Sequence, residues 1–203
     1  QKPSLEFSTH ALQDALDIIG LTGKALTTAN GGVNCFGYKH AEGGGRVSGS
    51  NHRKYAFHEG ILIPRRISCD HQQDAVLAVE GLITYDGTNA PIVVTDSSAV
   101  PTGVVDNERF TIGAVTLESV LLPQVKSIEI DFGLQAETEG ADSDRWDTFC
   151  SIVQGTPMIT LRGINTEWLK SNAVPFTGLA VTHDNTAIYL RKRSTGSSGL
   201  VAD

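Results

Sequence analysis

Six residues able to ligate a metal, Cys35, His40, His52, His58, Cys69 and His71, fall between positions 35 and 71 of the chain. A structural zinc site needs compact ligand pairs such as Cys-x2-Cys or His-x3-His, and neither spacing occurs. The reading is solvated loop histidines and buried thiols, with no metal and no cofactor. Ser and His are both present, but no Gly-x-Ser-x-Gly elbow sets a nucleophile beside a base. One enzymatic alternative survives, His52 or His58 with an acidic partner, and it requires a concave pocket where they converge. The run Gly43-Gly44-Gly45-Arg46 lacks the Lys-Ser/Thr end of a phosphate loop.

A second cluster is acidic. Glu137, Glu139, Asp142, Asp144 and Asp147 lack the Asp-x-Asp-x-Asp-Gly register and closing Glu of a calcium loop, so the expectation is a solvated acidic loop. The segment Asn51–Glu59 mixes Arg53, Lys54, Tyr55 and Phe57, the ingredients of a nucleic-acid patch. A formal charge of −7 works against that use, because gripping phosphates takes clustered Lys and Arg. Three scattered cysteines, Cys35, Cys69 and Cys150, make a poor disulfide framework and read as thiols of a reducing compartment. No run approaches the ~20 apolar residues of a membrane helix.

These residues must be positioned by a mainly β chain. The 203 residues fit one β-rich domain, 1–203, with a single short helix near the start. In "FSTHALQDALDIIG", Leu12, Ala15, Leu16 and Ile19 recur at helical spacing, with Ser8 or Thr9 as N-cap and Gly20 closing the end. From about 27 to 60 the chain is dense in Gly, Asn, Ser and His, which predicts a long loop or a loosely paired hairpin, with Val33–Tyr38 its one strand-like run. Strand signals follow in "ILIPRRI", "AVLAVEGLITY", "PIVVT", "RFTIGAVTLESV", "KSIEIDFG", "PMITLRG", "FTGLAVTH" and "TAIYLRKR". Leu77, Val79, Ile83 and Tyr85 alternate onto one face, as do Ile128, Ile130 and Phe132. The count predicts an antiparallel β-sandwich or β-barrel with long loop arms.

The order strand "FTIGAVTLESVLLPQVKSIEIDFG", acidic loop "LQAETEGADSDRW", strand "TFCSIVQGTPMITLRG" resembles virion structural proteins of tailed bacteriophages, tail-tube-like proteins in particular. "DGTNAPIVV", Asp86–Val94, adds to that likeness. The resemblance implies a non-enzymatic protein of the virion, assembled in the host cytoplasm. It would form stacked homo-oligomeric rings, hexamers by family likeness, that contact other virion proteins and pass DNA without binding it specifically. It also implies assembly arms: the glycine-rich segment and an acidic hairpin arm at about 134–146. The interface residues expected on this basis are Gln135, Glu137, Glu139, Asp142, Asp144, Trp146 and Phe149. Glu129 and Asp131, on the outward face of a core strand, are the expected lumen residues.

Two alternatives compete. A stand-alone β-sandwich binding module would use Trp146, Trp168 and Tyr85 to stack on sugar rings. Another virion component, a neck, terminator or baseplate protein, would share the strands and arms of a tube subunit.

Overall fold

The computed structural model describes residues 2–40, 42, 43, 49, 51–99, 109–117, 120–141, 143–163 and 187–192. Its centre is a sheet built on the long strand β5 (Glu59–Asp70), which pairs with β6 (Val76–Thr84) along one edge. Beyond β6 lies β1 (Ser4–Thr9), and beyond β5 lie β10 (Ser127–Asp131) and β13 (Met158–Arg162), all antiparallel. Alternation dictates the two faces of this sheet. Leu77, Val79 and Ile83 on β6 and Leu62, Ile67 and Cys69 on β5 form the main core.

The helix α1 (Leu12–Ile19) closes part of that core with Leu12 and Ile19. Gly20 ends it as expected, its N–H donating to the Leu16 carbonyl at 2.7 Å. The predicted cap is corrected: Ala11 occupies the N-cap position, while Ser8 and Thr9 belong to β1. Thr9 Oγ1 instead accepts from the Ala11 N–H at 3.1 Å.

Two smaller sheets cover the same core face. In one, β3 (Val33–Gly37), β4 (His52–Phe57) and β7 (Ile92–Ser98) contribute Val33, Cys35, Tyr55 and Phe57. In the other, β8 (Phe110–Leu117) pairs with β14 (Ala187–Lys192) and β9 (Val120–Leu121), and supplies Phe110, Ile112 and Leu190. The glycine-rich region is therefore largely a hairpin, with β4 a strand that the sequence did not announce. The architecture is layered and sandwich-like; among the described residues no sheet closes into a barrel. The predicted strand "FTGLAVTH", like Trp168, lies outside the described residues.

Pro64 sits where the β5–β6 register shifts. Proline has no N–H to give the ladder, so a bulge is the place a central strand tolerates it. Beyond the bulge, β5 meets β10 through residues 66–70, while residues 60–62 meet β2 (Lys24–Leu26) on the same edge. β10 thus runs out of room where β2 begins, and the chain must leave the sheet.

Candidate functional site

The departure point is Gly133. Residues β10 and β13 pair from Ser127 opposite Arg162 to Asp131 opposite Met158. The strands β11 (Leu134–Glu139) and β12 (Phe149–Gly155) take up the same register, with Leu134 opposite Gly155. The four strands are one long hairpin, interrupted at Gly133 and Thr156, where the Thr156 N–H donates to the Gly133 carbonyl at 3.1 Å. Gly133 has φ +60°, a left-handed conformation that glycine adopts without a Cβ penalty. A Cβ there would meet the Thr156 carbonyl oxygen at 2.0 Å.

Past the bend the hairpin folds over the second face of the central sheet. Leu134, Ala136, Cys150 and Ile152 pack on Ile61, Ile63 and Leu82. The acidic loop of the sequence reading is thus half strand. Paired residues on a ribbon share a face, so Gln135, Glu137, Glu139 and Phe149 all project away from the core, with Gln154 and Ser151 opposite them. Val153 is the extra residue of a bulge between Gln135 and Ala136 and is also exposed.

The remaining predicted interface residues separate from this face. Asp144 organises the turn, its carboxylate accepting from the Ala141 N–H at 2.9 Å. Asp142 lies outside the described residues. Trp146 is half-buried against Tyr85, ring centroids 5.5 Å apart, with the Arg145 guanidinium 4.7 Å from its ring centroid. The Tyr85 N–H donates to the Asp147 carbonyl at 2.8 Å, and the Asp147 carboxylate accepts from the Thr138 hydroxyl. Trp146 and Tyr85 pack against each other with their ring planes inclined at 40°.

Glu129 and Asp131 share the second sheet face, but each has a local task. Glu129 pairs with Arg66 at 3.3 Å. Asp131 accepts from the Gly133 N–H at 2.7 Å and so braces the bend. Beside it Arg65 pairs with Glu80 at 2.8 Å and donates to the Leu134 carbonyl. Of these groups Arg65, Arg66 and Asp131 border a groove of about 740 Å³ between the hairpin and the sheet, lined also by Gln135 and Met158.

His52 and His58 do not converge; they stand at the start of β4 and just past its end. His52 is buried, and its Nδ1 accepts from the Lys39 N–H at 3.0 Å, which fixes the proton of the neutral ring on Nε2. Its Asp96 neighbour is already held by Arg53 at 2.6 Å. Among the described residues no group of three or more His, Cys, Asp or Glu is placed to hold a metal ion, and no helix is long and apolar enough to cross a membrane. Burial pushes the thiols of Cys35, Cys69 and Cys150 up from their ordinary range.

Sequence reasoning missed Val153, Met158 and Ile159, large apolar side chains exposed on the outer strand of the hairpin. Which strand would lie at the edge was not visible in the sequence. Comparison with family models, with curated proteins and with solved structures gave no match.

Proposed function

We propose that this chain is a structural protein that assembles with copies of itself into the stacked rings of a phage-type tail tube. The observation that supports self-assembly is the outer strand of the long hairpin. Among the described residues no strand pairs with the free side of β12 or β13. Phe149, Val153, Met158 and Ile159 along it are 59%, 52%, 59% and 52% exposed. An open edge with apolar side chains is a template for a neighbouring chain, and monomers seldom leave such material uncovered. The tube itself, and a place in the virion with DNA passing through, are supported by the sequence pattern of strand, acidic arm and strand. In that reading Glu129 and Asp131 face the passage, and Arg66 beside Glu129 moderates the acidity of the face.

The test is the mass of the purified protein by light scattering across a concentration series, with negative-stain imaging of the same samples. Rings or tubes are expected. A strict monomer at every concentration would overturn the proposal and favour a stand-alone binding module.

A further inference from the structure

Five cations of the described structure are matched to a carboxylate. Arg53, Arg65, Arg66 and Arg109 pair with Asp96, Glu80, Glu129 and Asp74, and Lys2 with Asp147. Two pairs of like charges on the long hairpin are left over. Glu137 and Glu139 are exposed on the outward face of β11 and form no ion pair among the described residues. Lys126 and Arg162 are exposed at the opposite end of the same ribbon and likewise form none. The Lys126 N–H donates to the Arg162 carbonyl at 2.8 Å, which ties the two strands together at the base of the ribbon. Lys24, Lys39 and Lys54 stand singly elsewhere.

The hairpin is therefore polarised: acidic toward its tip, basic at its base. The two ends lie on the order of 40 Å apart along the bent ribbon at ~3.3 Å per residue, and among the described residues no ion pair joins them. The acidic end also carries exposed apolar surface, Phe149 opposite Glu139 and Val153 farther along the same strand.

Resting on the self-assembly reading above, we infer that the two ends of the hairpin are complementary halves of one interface. The face of Glu137, Glu139, Phe149 and Val153 docks on the Lys126 and Arg162 end of a second copy. The contact is head-to-tail, the kind that generates a ring when its rotation closes and a filament when it does not. Unlike charges fix its direction, because tip-to-tip or base-to-base docking would oppose like charges.

Charge reversal tests this directly. The variants Glu137→Lys/Glu139→Lys and Lys126→Glu/Arg162→Glu alter only exposed side chains, and their thermal melts check that each is folded. Each double variant alone should need at least tenfold more protein to assemble than the unaltered chain. An equimolar mixture of the two, or the fourfold variant, should recover assembly to within about threefold, because every tip then again meets a base of opposite charge. Assembly of either double variant at the original concentration, or folded mixtures and fourfold variants that stay dissociated, would overturn the inference while leaving self-assembly standing. An unaltered chain that stays monomeric throughout would remove both.

Discussion

A Cβ on Gly133 would lie 2.0 Å from the carbonyl oxygen of Thr156, the residue across the hairpin from it. That contact, together with φ +60°, makes the bend of the ribbon a position only glycine fills. Gly133→Ala should destabilise the fold by roughly 2–4 kcal/mol, combining left-handed backbone strain with a backbone clash. Gly31→Ala is the matched control. Gly31 also has positive φ, at +81°, but nothing lies within 4 Å of its Cβ position, so only the conformational cost of about 1 kcal/mol remains. Denaturant melts of both variants measure the difference; equal losses would show that the bend does not depend on the Gly133–Thr156 contact.

The same bend assigns Asp131 a structural role, whatever its place in an assembly. Its carboxylate accepts from the Gly133 N–H. Asp131→Asn keeps an acceptor oxygen at that point, whereas Asp131→Ala removes it and should cost about 1 kcal/mol more. Thermal unfolding of the two variants side by side reads this directly.

The bend also shows where the sequence was legible and where it was not. Leu77, Val79 and Ile83 alternate in the sequence and are all buried in the central sheet, because period-two burial is a local property. β11 was hidden, since its outward face carries Gln135, Glu137 and Glu139 while Ala136 and Thr138 on its inner face are small or polar. Its strand character comes from pairing with β12 and from packing on Ile61 and Ile63, which are far away in sequence. The glycine at 133 was visible as a glycine. That the ribbon must turn there follows from β2 occupying the edge of β5 at residues 60–62, a tertiary fact with no local signature. The exposed edge of β12 and β13 was illegible for the same reason.

Trp146 and Phe149, three residues apart, should behave oppositely. Trp146 is half-buried against Tyr85, so Trp146→Ala should lower stability by about 1–2 kcal/mol through lost packing and ring contact. Phe149 is mostly exposed, so Phe149→Ala should change stability by less than about 0.5 kcal/mol. If the hairpin face is the assembly surface, Phe149→Ala should nonetheless weaken assembly measurably. Melting temperature and particle mass, taken on the same two variants, separate the roles; a Phe149→Ala protein that assembles normally would remove Phe149 from the interface.

The three thiols offer a chemical readout of burial. Each is shifted upward chiefly by desolvation, and the thiolate is the reactive form. At neutral pH all three should react with a thiol reagent far more slowly in the native protein than after unfolding, with Cys69, the buried one, slowest. The linkage runs toward alkaline pH. Their folded values lie above the unfolded one of roughly 8.5, so their contribution to stability is complete below that pH and declines as pH rises through the folded values. Rapid labelling of native Cys69 at pH 7 would contradict its placement in the core.

Asp86 carries the opposite sign. The side-chain hydrogen bond from Asn89 is the largest cause holding its carboxylate below the usual range, followed by the Asn89 N–H; a smaller contribution comes from the Thr88 N–H. A depressed folded value means the contribution to stability is present above the unfolded value, near 3.8, and is lost as pH falls through the lower folded one. The group is exposed, so solvent screening limits the contribution to at most about 0.5 kcal/mol. Asp86→Asn keeps an acceptor for the two backbone N–H groups but not the charge. At pH 7 this variant should be slightly less stable than the unaltered chain, and at pH 2 the difference should vanish. An Asp86 carboxyl that titrates by NMR at or above pH 4 would show that the Asp86–Asn89 turn does not hold the charge in solution.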